Sequence, residues 1–307
     1  MTTTKQKTLI LIAGPTAVGK TALSLDLARH FGTDILSADS RQCYREMTIG
    51  TAKPSTDELK LVKHYFINSH AITEKVNAGI FEKFGLTSLE HIFQQQAKAI
   101  LCGGTGLYIK ALLEGIDTMP EIPETTRAYV RNIYDREGLA GLQQALQKKD
   151  PIFYHEAEQK NPHRLMRALE VYEATGLSIM NFRKNTKVSR PFNIIRIGLE
   201  LSKEQLLRNI TLRTKRMLQS GLIDEVKNLL PYRNLKAMQT VGYTEVFRFL
   251  DGQNTLADVE NEIILHTRQY AKRQMTWFKK DPLIRWFPAT DADRIIHYIQ
   301  QETANFA

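Results

Sequence analysis

Residues Gly14 to Thr21 read GPTAVGKT, and no other stretch constrains the fold of this chain as tightly. Every fixed position of the phosphate-loop pattern G-x-x-x-x-G-K-[ST] is filled. The pattern lies between an apolar, β-prone run at Thr8–Ala13 (TLILIA) and a segment of helical spacing, Ala22–His30. That order is what the chemistry requires: a strand delivers the loop, and a helix N-terminus behind it attracts phosphate oxygens. Gly14 and Gly19 permit close backbone approach, while Pro15, Thr16, Ala17 and Val18 carry the backbone around the anion. Lys20 supplies a point charge to the terminal phosphates, and Thr21 offers a hydroxyl to Mg²⁺. A bound di- or triphosphate follows from the motif; its identity does not.

The unbroken apolar character of Thr8–Ala13 marks a strand buried on both faces, as in a parallel sheet. Thr33–Ala38, Ala99–Cys102 and Asn193–Leu201 read as further strands, and helical segments alternate with them. From Pro120 to Pro191 the chain turns polar, charged and helical, with no strand-like run. Beyond it, 208–230 and 260–280 read as long amphipathic helices. The expected fold class is α/β, with a parallel-sheet P-loop NTPase-like core from 1–119 and 191–307. That core carries C-terminal helices and a helical insertion domain at 120–190.

Composition narrows the setting. With 307 residues, 42% hydrophobic and 8% aromatic, the chain can bury a large core as one domain with an insertion or as two. Cys43 and Cys102 are too few for a disulfide framework or a four-ligand zinc site, which favours a reducing, cytoplasmic setting. No run reaches the ~18–20 apolar residues of a membrane span. The short apolar stretch near the N-terminus leads straight into the phosphate loop, so its cleavage as a secretion signal would destroy that motif. The formal charge of +9 makes a polyanionic partner worth weighing.

A phosphate-loop ATPase or GTPase also carries an acidic residue after an aliphatic strand to hold Mg²⁺. Here AILC runs into Gly103-Gly104, and Asp39, closing ILSAD, is the available carboxylate. The chain also lacks the DDxxD cluster expected of prenyl-chain elongating enzymes. Four further blocks are DSRQCYREMTIGTAKP at Asp39–Pro54, LCGGTGLYIKAL at Leu101–Leu112, NPHRLMRALEVYEATG at Asn161–Gly176 and TRQYAKRQMTWFKK at Thr267–Lys280. A fifth, weaker one is RTKRMLQSGLIDEV followed by VGYTEV. Together, and in this order, they resemble the tRNA dimethylallyltransferase (isopentenyltransferase) family, bacterial type. No cysteine–histidine set follows the last block, so the zinc-finger tail of some eukaryotic relatives is not expected.

The resemblance implies transfer of a dimethylallyl group from dimethylallyl diphosphate to the exocyclic amine of the adenosine 3′ of the anticodon. It assigns the phosphate loop and Arg213 to the donor's diphosphate, with Mg²⁺ as cofactor. Asp39 becomes the carboxylate that accepts the amine proton, and Thr105 lines the reaction channel with Lys20. Ser40, Arg41 and Gln42 would meet the extruded adenine or its neighbours in the anticodon stem-loop. His163, Arg164 and Arg167 match the family's tRNA-contacting segment, with Arg127, Arg268 and Lys272 as further candidates on basic faces. Arg268, Lys272 and Lys279 share a helical stripe, and Tyr270, Trp277 and Phe278 read as apolar bulk of the core.

Some positions depart from the family pattern: His163 stands where glutamine is usual, and Arg41 and Cys43 where methionine and valine are. Cys43 falls on an apolar position and reads as a small core residue. The segment Lys63–Asn68 is also altered, so no catalytic role passes to His64. Two other activities fit parts of the pattern: a prenyltransferase acting on free adenine nucleotides, and a P-loop small-molecule kinase. One chain holds every needed part, so a monomer without membrane attachment is expected.

Overall fold

The computed structural model describes residues 6–184 and 186–306, which divide into two compact units. One runs through Glu114 and resumes at Ser189; the other is Gly115–Val188, where the proline pattern suggested 120–190.

The first unit begins with β1 (Thr8–Ala13), α1 (Lys20–Phe31), β2 (Ile35–Ala38) and α2 (Thr56–Leu61). It continues with β3 (His64–Tyr65), α3 (Ala78–Gln95), β4 (Lys98–Gly103) and α4 (Gly106–Glu114). The second unit holds α5 (Glu124–Lys149), α6 (Pro151–Glu156) and α7 (Pro162–Thr175). The first then resumes with β5 (Asn193–Glu200), α8 (Lys203–Gln219), α9 (Leu222–Asn228), α10 (Tyr243–Leu250), α11 (Leu256–Phe278), β6 (Arg285–Pro288) and α12 (Ala292–Asn305).

The six strands form one parallel sheet in the order β3-β2-β4-β1-β5-β6. β1 is central and fully buried, as its apolar run requires. Leu9, Leu11 and Ala13 face a core shared with α3, α4, α10 and α11, while Ile10 and Ile12 face α1 and α12. Removing one such buried aliphatic side chain costs about 2–5 kcal/mol, so both faces hold β1 in register.

The connection leaving β1 crosses to β2 on one side, and the connection leaving β4 returns to β5 on the other. The chain direction therefore switches between β1 and β4, and a crevice opens beyond their C-terminal ends. The phosphate loop follows β1, and the Gly103–Thr105 turn follows β4. β2 ends level with β4, Ala38 opposite Gly103, which brings Asp39 to the same edge.

Four expectations change. β3 and β6 have only two and four residues, too few to show a strand pattern, and they lie at the sheet edges. The helix expected over 208–230 breaks at Gly221, whose φ of 94° separates α8 from α9. Lys279 caps α11 rather than extending its stripe: it pairs with Glu200 at 2.8 Å and lies 3.9 Å over the Trp286 ring. Of the aromatic trio only Phe278 is buried, whereas Tyr270 and Trp277 are 36% and 46% exposed.

In the second unit, α5 and α7 enclose Val130, Leu142, Leu146, Leu165 and Leu169 with Phe153 of α6. Non-helical backbone at Gly138 kinks α5. Asn161 accepts the N–H of Arg164 at 3.2 Å and Pro162 opens α7, a cap and first-turn pairing suited to a helix start. Among the described residues, no helix is long and apolar enough to cross a membrane.

Candidate active site

The phosphate loop has the backbone that its sequence demands. Gly14 adopts φ 149°, and a Cβ there would meet the Leu199 carbonyl oxygen at 2.8 Å. Gly19 caps α1 in the left-handed region with no side-chain acceptor, so the first amides of the helix stay available to an anion. Lys20 Nζ donates to the carbonyl oxygens of Gly14 at 3.0 Å and Pro15 at 2.8 Å. Burial pushes its pKa down to about 8; Arg213 pushes the same way, while Cys102 and Asp39 oppose. An incoming anion relieves that cost.

α8 supports the loop from outside. Arg213 Nη2 donates to the Thr16 hydroxyl at 2.8 Å, and Asn209 Nδ2, one turn earlier, donates to the Ala17 carbonyl at 3.0 Å. Burial lowers the pKa of Arg213, and Asp39 counteracts this.

On the β2 side, Asp39 Oδ1 accepts the N–H groups of Arg41 at 2.8 Å and Gln42 at 3.2 Å. One oxygen thus closes the turn that an isolated strand-end aspartate would cap, and no hydrogen bond of Oδ2 to protein is found among the described residues. Thr105 donates its N–H to the Ala38 carbonyl at 3.1 Å, and its hydroxyl accepts the Ser40 N–H at 3.1 Å. These bonds tie the turn after β4 to the turn after β2.

Two side chains of α11 complete the arrangement, and residue spacing did not reveal either. Buried Gln274 accepts the Thr16 N–H at 2.8 Å and donates to the Gly104 carbonyl at 2.9 Å, bridging the phosphate loop and the β4 turn. Although part of its ring is exposed, Tyr270 places its hydroxyl beside Thr105; burial of that end raises its pKa to about 12, reinforced by Asp39 and opposed by Arg41 and Thr105. The motif TRQYAKRQ contains both residues, but nothing in their spacing sets them apart from its basic and apolar positions.

A cleft of about 600 Å³ brings Lys20, Thr21, Asp39, Gln42 and Arg213 together. Ile35, Pro54, Ile67 and Leu212 also line it and give it apolar wall. His64 lines it too: its Nδ1 lies 2.8 Å from the Val62 carbonyl, so Nδ1 carries the proton, and burial lowers its pKa. Gln42 spends both amide protons on the carbonyls of Thr51 and Ala52, each at 3.1 Å. Arg41 donates to the Ser40 carbonyl at 3.1 Å. Arg268 and Lys272 are exposed on α11.

The other basic candidates belong to the second unit. His163 and Arg164 are exposed, Arg164 lies 3.8 Å from Glu158, and Arg167 lies 3.4 Å from Glu170. Arg127 Nε donates to the Ile122 carbonyl at 3.3 Å. Arg183, whose basic neighbours are not apparent from spacing, lies over the Phe153 ring at 5.8 Å. Burial lowers its pKa first, Arg164 and Arg167 push the same way, and Asp117 opposes them.

A hydroxyl, a cationic phosphate grip and a carboxylate in one cleft can bind a diphosphate and accept a proton. Residues 42–281 match the family model described as IPP transferase. A tRNA dimethylallyltransferase of Cytophaga hutchinsonii is 43% identical over 294 residues, covering 96% of this chain and 97% of that protein. The tRNA dimethylallyltransferase 1 of Bacteroides thetaiotaomicron is 41% identical over 293 residues, covering 95% of each. The structure of the full-length tRNA isopentenylpyrophosphate transferase of Bacillus halodurans overlays with a TM-score of 0.73 at 31% identity, covering 98% of each chain. A eukaryotic dimethylallyltransferase acting on tRNA overlays with a TM-score of 0.72 at 26% identity, over 94% of this chain and 75% of that one.

Proposed function

The chain belongs to the tRNA dimethylallyltransferase family, and from that premise we propose that it moves the dimethylallyl group of dimethylallyl diphosphate onto tRNA. The acceptor is the exocyclic amine of the adenosine 3′ of the anticodon, and diphosphate leaves. The observation that carries this reading is the convergence of the Lys20–Arg213 grip and the Asp39 carboxylate on one cleft.

In this mechanism the diphosphate replaces the Gly14 and Pro15 carbonyls as the partner of Lys20, with Arg213 and the α1 amides as further donors. The bond between the prenyl carbon and the diphosphate oxygen breaks, and its electron pair leaves with the diphosphate. The amine nitrogen bonds to that carbon and passes its proton to Asp39. No strong base is needed, because the amine becomes acidic only as it is alkylated. Thr105 holds the Ser40 turn beside the acceptor, and the apolar wall suits the prenyl tail.

The cleft also suits Mg²⁺, which keeps several waters and takes few protein ligands besides phosphate oxygens. Thr21, facing the cleft beside Lys20, would hold it. When bound, the ion neutralises charge on the leaving diphosphate.

Arg127, His163, Arg164 and Arg167 of the insertion, with Arg268 and Lys272 of α11, offer their donors and charge to the anticodon stem-loop. Ser40, Arg41 and Gln42 border the extruded base; the amide of Gln42 reaches it through the turn it supports, since its protons are already engaged. The enzyme acts as a monomer in the cytoplasm on this reading.

The test is incubation with Mg²⁺ and labelled dimethylallyl diphosphate together with tRNA or AMP, and separately with ATP as a phosphoryl donor. Label in tRNA at the adenosine 3′ of the anticodon supports the reading. Label in AMP but not tRNA, or phosphate transfer alone, defeats it.

A further inference from the structure

Glu225 of α9 does not line the cleft, yet its carboxylate is filled by donors that lead there. Oε2 accepts the N–H groups of Thr48 at 3.0 Å and Ile49 at 2.7 Å. Oε1 accepts the Gly50 N–H at 3.0 Å and the Tyr243 hydroxyl at 2.7 Å. Three successive amides turned onto one anion form the concave nest that elsewhere binds phosphate, here occupied by a carboxylate of the chain itself. Tyr243 is buried, and a Cβ on Gly50 would meet its ring and hydroxyl at 2.5–2.9 Å. The weak sequence block GLIDEV…VGYTEV therefore converges on the turn TIGTAKP.

That turn continues into the site. Ala52 adopts φ 49°, a left-handed conformation that a residue with a Cβ holds only when its surroundings enforce it. The Thr51 and Ala52 carbonyls accept both amide protons of Gln42, whose own N–H donates to Asp39 Oδ1 at 3.2 Å. The connection runs unbroken from Glu225 through Thr48–Ala52 and Gln42 to Asp39.

We propose that Glu225, assisted by Tyr243, is a positioning residue that holds the Thr48–Ala52 turn so that Gln42 fixes the Asp39 carboxylate for prenyl transfer. This inference rests on the proposed role of Asp39. Both oxygens of Glu225 serve donors only, so in Glu225→Gln at least one amide of the turn loses its acceptor whichever way the new amide points. The phosphate loop is untouched by that change.

The experiment measures single-turnover transfer to tRNA, binding of inorganic diphosphate and thermal unfolding for Glu225→Gln, Gln42→Ala and the double variant. Glu225→Gln should slow transfer roughly tenfold or more with diphosphate binding within about twofold of wild type. In the Gln42→Ala background the same change should cost no more than about twofold, the non-additivity expected of residues acting in one network. Tyr243→Phe, which removes one donor and keeps the ring, should slow transfer by about threefold, again only when Gln42 is present. It carries the test if Glu225→Gln does not fold. A lower melting temperature with an unchanged rate in the folded range, or an equal loss with and without Gln42, overturns the proposal. Wild-type protein that binds diphosphate but transfers nothing defeats the proposed reaction and this inference with it. Wild-type transfer with an unchanged rate in both variants defeats the inference alone.

Discussion

Arg213 donates from Nη2 to the Thr16 hydroxyl at 2.8 Å across 197 residues of sequence. The chain leaves the core at Glu114, builds a separate helical unit and returns at Ser189, and only then supplies the cation that braces its first loop. A surface arginine on a helix is usually a solvated charge; this one is drawn into the cleft. Charge-assisted hydrogen bonds contribute about 1.5–3 kcal/mol, so Arg213→Ala should raise the donor KM roughly tenfold to a hundredfold. Arg213→Lys should recover little of this, because a point charge does not reproduce the guanidinium fork. Steady-state kinetics in dimethylallyl diphosphate checks both.

The lowered pKa of Lys20 predicts a basic limb in the pH profile. The protonated ammonium binds the diphosphate, and in the free enzyme it loses its proton near pH 8. The donor kcat/KM, which reports free-enzyme groups, should therefore fall above that pH, by up to about tenfold per unit. A bound diphosphate favours the charged form and moves the limb of kcat higher. Lys20→Arg, at whatever lower activity it retains, should lack the limb because its side chain stays charged. A flat wild-type profile to about pH 9.5 contradicts the assignment.

Gln274 should matter for stability and catalysis together. Its truncation leaves the Thr16 N–H and the Gly104 carbonyl without their buried partner, at a cost of about 1–3 kcal/mol for each group left unsatisfied. Gln274→Ala should melt several degrees lower and bind diphosphate more weakly. Gln274→Glu should not rescue it, since a carboxylate oxygen would then face the Gly104 carbonyl. Thermal unfolding and diphosphate titration measure the two effects, and an unchanged value in both rules out the bridge.

Arg164 and Arg167 make a claim about RNA that salt can test. Each phosphate contact contributes about 0.9 to the slope of log affinity against log salt on duplexes and about 0.7 on single strands. Replacing both with alanine should flatten the slope for tRNA by up to about two. Their neighbour Arg183 belongs to the same cluster, and its replacement should flatten the slope further. An unchanged slope in the double variant removes the pair from the interface.

Much of the site could be read from residue order because its chemistry is local. Gly14 to Thr21 carry their own strand, loop and helix, and Asp39 closes the second strand within the next few turns of chain. Gln274 was invisible for the opposite reason: its partners stand 258 and 170 residues away, and a buried glutamine in an amphipathic helix has no spacing that betrays it. Nothing in the spacing of GLIDEV shows that the Glu225 oxygens meet the amides of Thr48, Ile49 and Gly50, which stand more than 170 residues earlier in the chain. Lys279 read as part of a basic stripe because helical spacing continues past the point where the helix itself ends. The edge strands β3 and β6 are too short for any alternation to appear.

The central claim is that one cleft separates its work between a phosphate grip and a proton acceptor. Asp39→Asn isolates the second, because its amide oxygen can still accept the Arg41 and Gln42 N–H groups and preserve the turn. The decisive measurement is the single-turnover rate of dimethylallyl transfer to tRNA by this variant, with inorganic diphosphate binding taken on the same protein. The account predicts a rate at least roughly a hundredfold below wild type with diphosphate binding changed by no more than about twofold. A transfer rate within about threefold of wild type would show that Asp39 only caps its turn and that the proton leaves by another route.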